Sequence, residues 1–161
     1  MDNSAHLEGD FQAAGRRFGV VAARFNSRVV DPLLAGAVAC LKKHGVADGD
    51  LTVVRVPGAW ELPLALEELA QTGNYDGLVA LGVVIRGETP HFDYGAGECC
   101  KCTSALMQRH RIPVGFGVLT TDNSDQAVER AGGKHGNKGW DAALAAIEMV
   151  DLTARIRGEK S

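Results

Sequence analysis

The chain has 161 residues, 45% of them hydrophobic, and a formal net charge of -3. That length suits one domain with a sizeable core, and the absence of a basic excess argues against a general nucleic-acid binder. No apolar run approaches the roughly 18 residues that span a bilayer, and residues 1–15 lack the basic start and apolar block of a secretory signal, so the expected location is the cytoplasm.

Phe18–Ala23 is a short apolar run and predicts a buried strand. A helix is expected after Asn26, with Pro32 in its first turn, a stripe of Leu33, Leu34, Ala37, Val38 and Leu41, and Gly45 at its end. Leu51–Val56 predicts a second strand, stopped by Pro57-Gly58, and Trp60–Gln71 a second helix with Pro63 in its first turn. Gly77–Ile85 is the most apolar strand and is expected at the centre of the sheet. Gly97–Arg109 reads as a weaker helix and Pro113–Val118 as the fourth strand. Ser124 is expected to cap a short helix that stops at Gly132-Gly133, and Lys138 to about Arg157 forms the last helix, with Trp140, Ala143, Leu144, Ile147 and Val150 on one face.

Strands separated by helices imply right-handed crossovers and a parallel sheet covered on both faces. The expected fold is α/β, a flavodoxin-like three-layer α/β/α sandwich with a central four-stranded parallel sheet. Residues 17–157 are assigned to this single domain and 1–16 to an N-terminal arm, in which Gly9–Arg16 can be an extra edge strand or reach a neighbouring subunit.

In open parallel sheets ligands sit beyond the carboxyl ends of the strands. The segments expected there are Arg24-Phe25-Asn26, Pro57 to Glu61, Arg86 to Tyr94, and Phe116 to Asp122. Phe25 and Trp60 offer flat rings that can stack on a planar heterocycle or simply pack in the core. Glu61, at a helix start, can bind ligand hydroxyls or complement the helix dipole. In Arg86-Gly87-Glu88-Thr89-Pro90-His91, Gly87 permits close backbone approach, and N–H groups with the Thr89 hydroxyl can hold a phosphate; an ordinary turn satisfies the same pattern. His91 has the chemistry of a proton donor or acceptor near neutral pH, or of a structural histidine. Arg130 and Lys138 bracket a basic, Gly-rich connector and can neutralise a phosphate, although a solvated hinge explains that composition more simply. The four cysteines, Cys40, Cys99, Cys100 and Cys102, form neither a disulfide framework nor a pair of metal-binding pairs. Reduced thiols and no metal are expected.

Five ordered pieces now coincide with one family. They are Ala23-Arg24-Phe25-Asn26; Val56-Pro57-Gly58-Ala59-Trp60-Glu61-Leu62-Pro63; Leu81 through Ile85-Arg86-Gly87-Glu88-Thr89-Pro90-His91 to Tyr94; Phe116-Gly117-Val118-Leu119-Thr120-Thr121; and Glu129-Arg130-Ala131-Gly132 with Gly136-Asn137-Lys138-Gly139. From Arg17 to Arg155 the chain resembles the 6,7-dimethyl-8-ribityllumazine synthases, transferases of the penultimate step of riboflavin biosynthesis. The resemblance implies condensation of 5-amino-6-(D-ribitylamino)uracil with 3,4-dihydroxy-2-butanone 4-phosphate, without cofactor or metal. It implies Phe25, Ala59, Trp60, Glu61, Val83, Val84, Ile85, Phe116 and Lys138 around the aminouracil, Glu88, Thr89 and Arg130 around the phosphate, and His91 as proton donor. It also implies a homo-oligomer: a pentamer whose sites are shared between subunits, able to close into a sixty-subunit icosahedral shell, with riboflavin synthase as a candidate partner. The alternative is a noncatalytic flavin- or ribityl-binding, or shell-forming, protein of the same fold. Such a binder would keep Phe25, Trp60 and Glu61 but would need neither Arg130 nor His91.

Overall fold

The apolar runs fold as strands and the striped segments as helices. A computed structural model describes residues 2–87 and 92–159, the side chains of residues 92–96 excepted. Strands β1 (Phe18–Ala23), β2 (Leu51–Val56), β3 (Gly77–Ile85) and β4 (Val114–Thr121) alternate with helices α1 (Ser27–Lys43), α2 (Leu62–Thr72) and α3 (Phe92–His110), followed by α4 (Ser124–Arg130) and α5 (Lys138–Ile156). Every pairing in the four-stranded sheet is parallel, in the order β2-β1-β3-β4. With helices on both faces this is the flavodoxin-like three-layer sandwich expected from the alternation.

Side chains alternate along each strand, so the sheet feeds two cores. Phe18, Val20, Ala22, Val79, Leu81, Val83 and Ile85 meet Leu33, Ala37 and Leu41 of α1 and Ala143, Ala146 and Ile147 of α5. The intervening Val21, Ala23, Leu78 and Ala80 meet Leu62 and Leu66 of α2 and Cys99 and Leu106 of α3. All residues of β3 are buried, which its unbroken apolar run requires of a central strand. β2 lies at an edge, and its residues are mostly half-buried or exposed.

Several boundaries differ from the sequence expectation. α1 begins at Ser27, so Pro32 stands inside the helix, beyond its first turn. The start is made by Asn26 in the left-handed region, φ 60°, whose carbonyl accepts from the Val29 and Val30 N–H groups, each at 3.0 Å. Asparagine tolerates that conformation better than most residues. At the other end Gly45, φ 109°, donates to the Lys42 carbonyl while Val46 donates to that of Leu41, closing the helix as expected. α3 starts at Phe92, ahead of Gly97; the glycines in its first half lower the helix propensity that a sequence reading relies on. β4 runs on past Val118 to Thr121. α4 is capped by Asn123, whose side chain accepts from the Gln126 N–H, and not by Ser124. It ends at Arg130, and Gly132-Gly133 belongs to a small antiparallel ribbon of β5 (Ala131–Gly133) and β6 (Gly136–Asn137).

The segment before β1 lies across its own helices. The Asp10 N–H and the Arg155 Nε both donate to Oδ2 of buried Asp151 at 2.7 Å, and the Ala13 N–H donates to the His44 carbonyl at 2.9 Å. The Asp10 N–H, opposing the effect of burial, together with the Arg155 guanidinium, holds the Asp151 carboxyl below its ordinary value of 3.8. A depressed folded value means that this stabilisation is complete above 3.8 and is lost as pH falls through the folded value. Asp151→Ala should therefore cost about 2 kcal/mol at neutral pH. Urea melts should show the gap from wild type narrowing in acid; an equal gap at both pH values contradicts the latch.

Candidate active site at the carboxyl ends of the strands

Backbone pairing continues past β1 and β2. The Arg24 N–H donates to the Val56 carbonyl at 2.7 Å and the Phe25 N–H to that of Pro57 at 2.9 Å. These bonds carry Phe25 to the rim of the sheet, where its ring is exposed. Pro57-Gly58 then turns the chain into a short 3₁₀ segment, Ala59–Glu61, that leads into α2. A methyl group placed on Gly58 would lie 3.6 Å from Oε1 of Glu61 and 3.9 Å from Cβ of Phe25. Phe25, Gly58 and the Glu61 carboxylate thus occupy one corner. Trp60, 63% exposed, stands beside it, so its ring is available for stacking and is not core packing.

β3 forms the floor. Its register with β1 ends at Ala22↔Leu81, whereas its register with β4 continues to Ile85↔Thr121. Among the described strands, residues 82–85 therefore have a partner on one side only. Alternate backbone groups of Val83, Val84 and Ile85 face the side that β1 vacates. Their side chains are buried, so only the backbone can address a ligand there. At the tip, the Arg86 N–H donates to the Thr121 carbonyl and its Nε lies 3.1 Å from Oδ1 of Asp122. Gly87 follows in the left-handed region, φ 82°. Glu88, Thr89 and His91 lie outside the described residues.

Phe116 lies within β4, inside the strand expected over Pro113–Val118 and not beyond its carboxyl end, opposite Ala80 and 40% exposed on the edge of the sheet. Ala80 is level with Val21, so Phe25 stands about 13 Å further along the strand direction and about 10 Å across. One chain does not bring these two rings to a single ligand.

The backbone brings positions 130 and 138 close to one another. The ribbon pairs Ala131 with Asn137, and the two cations flank that pair, one ending α4 and the other starting α5. Lys138 Nζ lies 3.6 Å from Oδ2 of Asp141. The connector is thus a built hairpin with two cations at its base, suited to an anion such as phosphate. Asn137, absent from the sequence-derived candidates, holds this hairpin. As an Asn directly before a helical stripe it was legible as a cap, but its contact with α1 was not.

The cysteines take separate environments: Cys99 is buried, Cys100 exposed and Cys102 between them. Burial pushes the Cys99 thiol up to about 11, and burial does the same for Cys40. Neither has the lowered value of a nucleophilic thiol.

Two comparisons bear on this geometry. A family model described as 6,7-dimethyl-8-ribityllumazine synthase matches residues 15–154. The 6,7-dimethyl-8-ribityllumazine synthase of Aquifex aeolicus (strain VF5) is 53% identical over 150 residues, which cover 93% of this chain and 97% of that protein.

Proposed function

Because the chain belongs to the 6,7-dimethyl-8-ribityllumazine synthase family, we propose that it condenses 5-amino-6-(D-ribitylamino)uracil with 3,4-dihydroxy-2-butanone 4-phosphate. The products are 6,7-dimethyl-8-ribityllumazine, phosphate and water, in the penultimate step of riboflavin biosynthesis. One observation carries this reading: the family match over residues 15–154 contains every strand-end segment of the site. Arg130 favours it over a noncatalytic ribityl-ligand binder, which has no phosphate to hold.

In this reading Phe25 stacks on the pyrimidine, Ala59, Trp60 and Glu61 frame it, and Glu61 reaches the ribityl hydroxyls. The one-sided backbone of Val83, Val84 and Ile85 fixes its edge. Glu88, Thr89 and Arg130 hold the phosphate. The substrate amine attacks the ketone and loses water to form an imine. His91 moves protons, phosphate departs by elimination against Arg130, and the ribitylamino nitrogen closes the ring with loss of water. Most of the rate comes from orientation, with acid–base help from His91.

The enzyme acts on small molecules and assembles with copies of itself. We assign to that assembly a pentamer in which Phe116, Arg130 and Lys138 of one copy complete the site of the next. The distance between Phe25 and Phe116 within one chain supports this sharing. So do the exposed apolar side chains Val53, Leu64 and Phe116. Closure of pentamers into an icosahedral shell, association with riboflavin synthase and a cytoplasmic setting belong to the same reading, whereas Gly9–Arg16, read from the sequence as a possible arm, packs on this chain's own helices. Among the described residues no helix is long and apolar enough to cross a membrane.

The purified protein mixed with both substrates should form the fluorescent lumazine and release phosphate. Product no faster than the uncatalysed background overturns the proposal. Phe25→Ala should remove a stacking contact of about 1 to 1.5 kcal/mol. It should therefore raise KM for the aminouracil about tenfold and leave KM for the phosphate-bearing substrate unchanged. Equal changes in both would place Phe25 elsewhere.

A further inference from the structure

We infer that Asn137 is a positioning residue for phosphate recognition, acting by clamping the Arg130–Lys138 hairpin into a notch on α1; the inference rests on the functional reading above. Its side-chain amide is used at both ends. Oδ1 accepts from the Gly139 N–H at 2.8 Å and the Trp140 N–H at 3.1 Å, and Nδ2 donates to the Pro32 carbonyl at 3.0 Å. Two N–H groups on one side and a carbonyl on the other fix the amide orientation. The first pair of bonds caps α5 directly after Lys138. The third crosses to α1, 105 residues away in sequence.

The opposing surface is shaped for that amide. A Cβ on Gly36, in the middle of α1, would sit 2.5 Å from the Asn137 side-chain atoms. No residue larger than glycine fits without moving the amide. On the hairpin side Asn137 pairs with Ala131, the residue after Arg130. The amide therefore ties both cation-bearing positions to the rigid α1–α5 layer through one contact. Glycines 132, 133 and 136 leave the ribbon with little side-chain packing of its own. Displacing the amide should move Arg130 and Lys138 together, and a misplacement of about 1 Å is enough to cost binding and rate.

Three substitutions probe the clamp from different sides. Asn137→Asp keeps an oxygen for the two N–H groups but faces the Pro32 carbonyl with a second oxygen. Asn137→Ser keeps the cap, cannot reach Pro32, and serves if the aspartate variant does not fold. Gly36→Ala displaces the amide while leaving its chemistry intact. Each should raise KM for the phosphate-bearing substrate about tenfold and weaken inhibition by inorganic phosphate by a like factor, with a smaller rise in KM for the aminouracil, which Lys138 contacts. A merely structural role would lower the melting temperature and leave these constants unchanged per folded molecule, and that result overturns the inference. Absence of lumazine synthesis in the wild type would sink the functional reading instead. In that case inorganic phosphate titrated calorimetrically into wild type and variants still tests the clamp: equal affinities refute it, and weaker binding by the variants supports it.

Discussion

Arg130→Ala is expected to lower kcat/KM for the phosphate-bearing substrate by about 10²- to 10³-fold. Arginine meets phosphate through two parallel charge-assisted bonds, and its charge opposes the negative charge that grows on the departing group. Removing it subtracts binding and transition-state stabilisation at once, so the loss should appear in KM and kcat together. Lys138→Ala should cost less, about tenfold, because an ammonium is a point charge without the planar fork. Lys138 is also exposed and lies 3.6 Å from Asp141, which already offsets part of its field. Initial rates with each substrate varied in turn separate these effects. An Arg130→Ala enzyme with a loss below about threefold would remove Arg130 from phosphate recognition.

Gly139→Ala is expected to cost a large share of the stability. A Cβ there would lie 2.0 Å from the Leu33 carbonyl oxygen and 2.7 Å from its carbon. Both are backbone atoms of α1, and the two helices pack closely enough that neither can yield alone. The start of α5 must back away from α1, which costs about 3 kcal/mol. For a chain of this size that corresponds to a fall in Tm of about 6–12 °C. Wild type and variant should be melted at equal concentration, because assembly adds a concentration-dependent term. Since Lys138 and Asn137 precede this contact, KM for the phosphate-bearing substrate should rise in the same variant. A Tm within about 2 °C of wild type would show that α1 and α5 adjust without strain.

What a sequence reading could recover followed from local physics. Phe18–Ala23 and Gly77–Ile85 are apolar on both faces, which is the signature of strands covered on two sides, and they are the two inner strands of the sheet. Phe25, Trp60 and Glu61 follow strand ends, so the rule for open parallel sheets placed them at the rim without coordinates. The failures have the same local origin. Proline is commonest in a first helical turn, which is where the sequence alone puts Pro32, but the left-handed Asn26 starts the helix a turn earlier. The fourth strand, expected to stop at Val118, runs on to Thr121 because its register with Leu78 to Ile85 extends it, so Phe116 lies well before the strand's carboxyl end. The Gly-rich stretch after Arg130 resembled a hinge, because the antiparallel pairing of Ala131 with Asn137 and the Asn137 contact with Pro32 depend on long-range packing.

The proposed activity depends most on a site divided between copies of the chain, and one experiment addresses that directly. Phe25→Ala/Glu61→Ala carries a damaged pyrimidine corner, and Arg130→Ala a damaged phosphate side; each should be nearly inactive alone. Dissociated, mixed in equal amounts and reassembled, they should place an intact corner beside an intact phosphate side in about a quarter of the shared sites. Lumazine formation should then recover to about a quarter of the wild-type rate. If the mixture does no better than the sum of its parents, each chain builds its site alone and the proposed sharing is wrong.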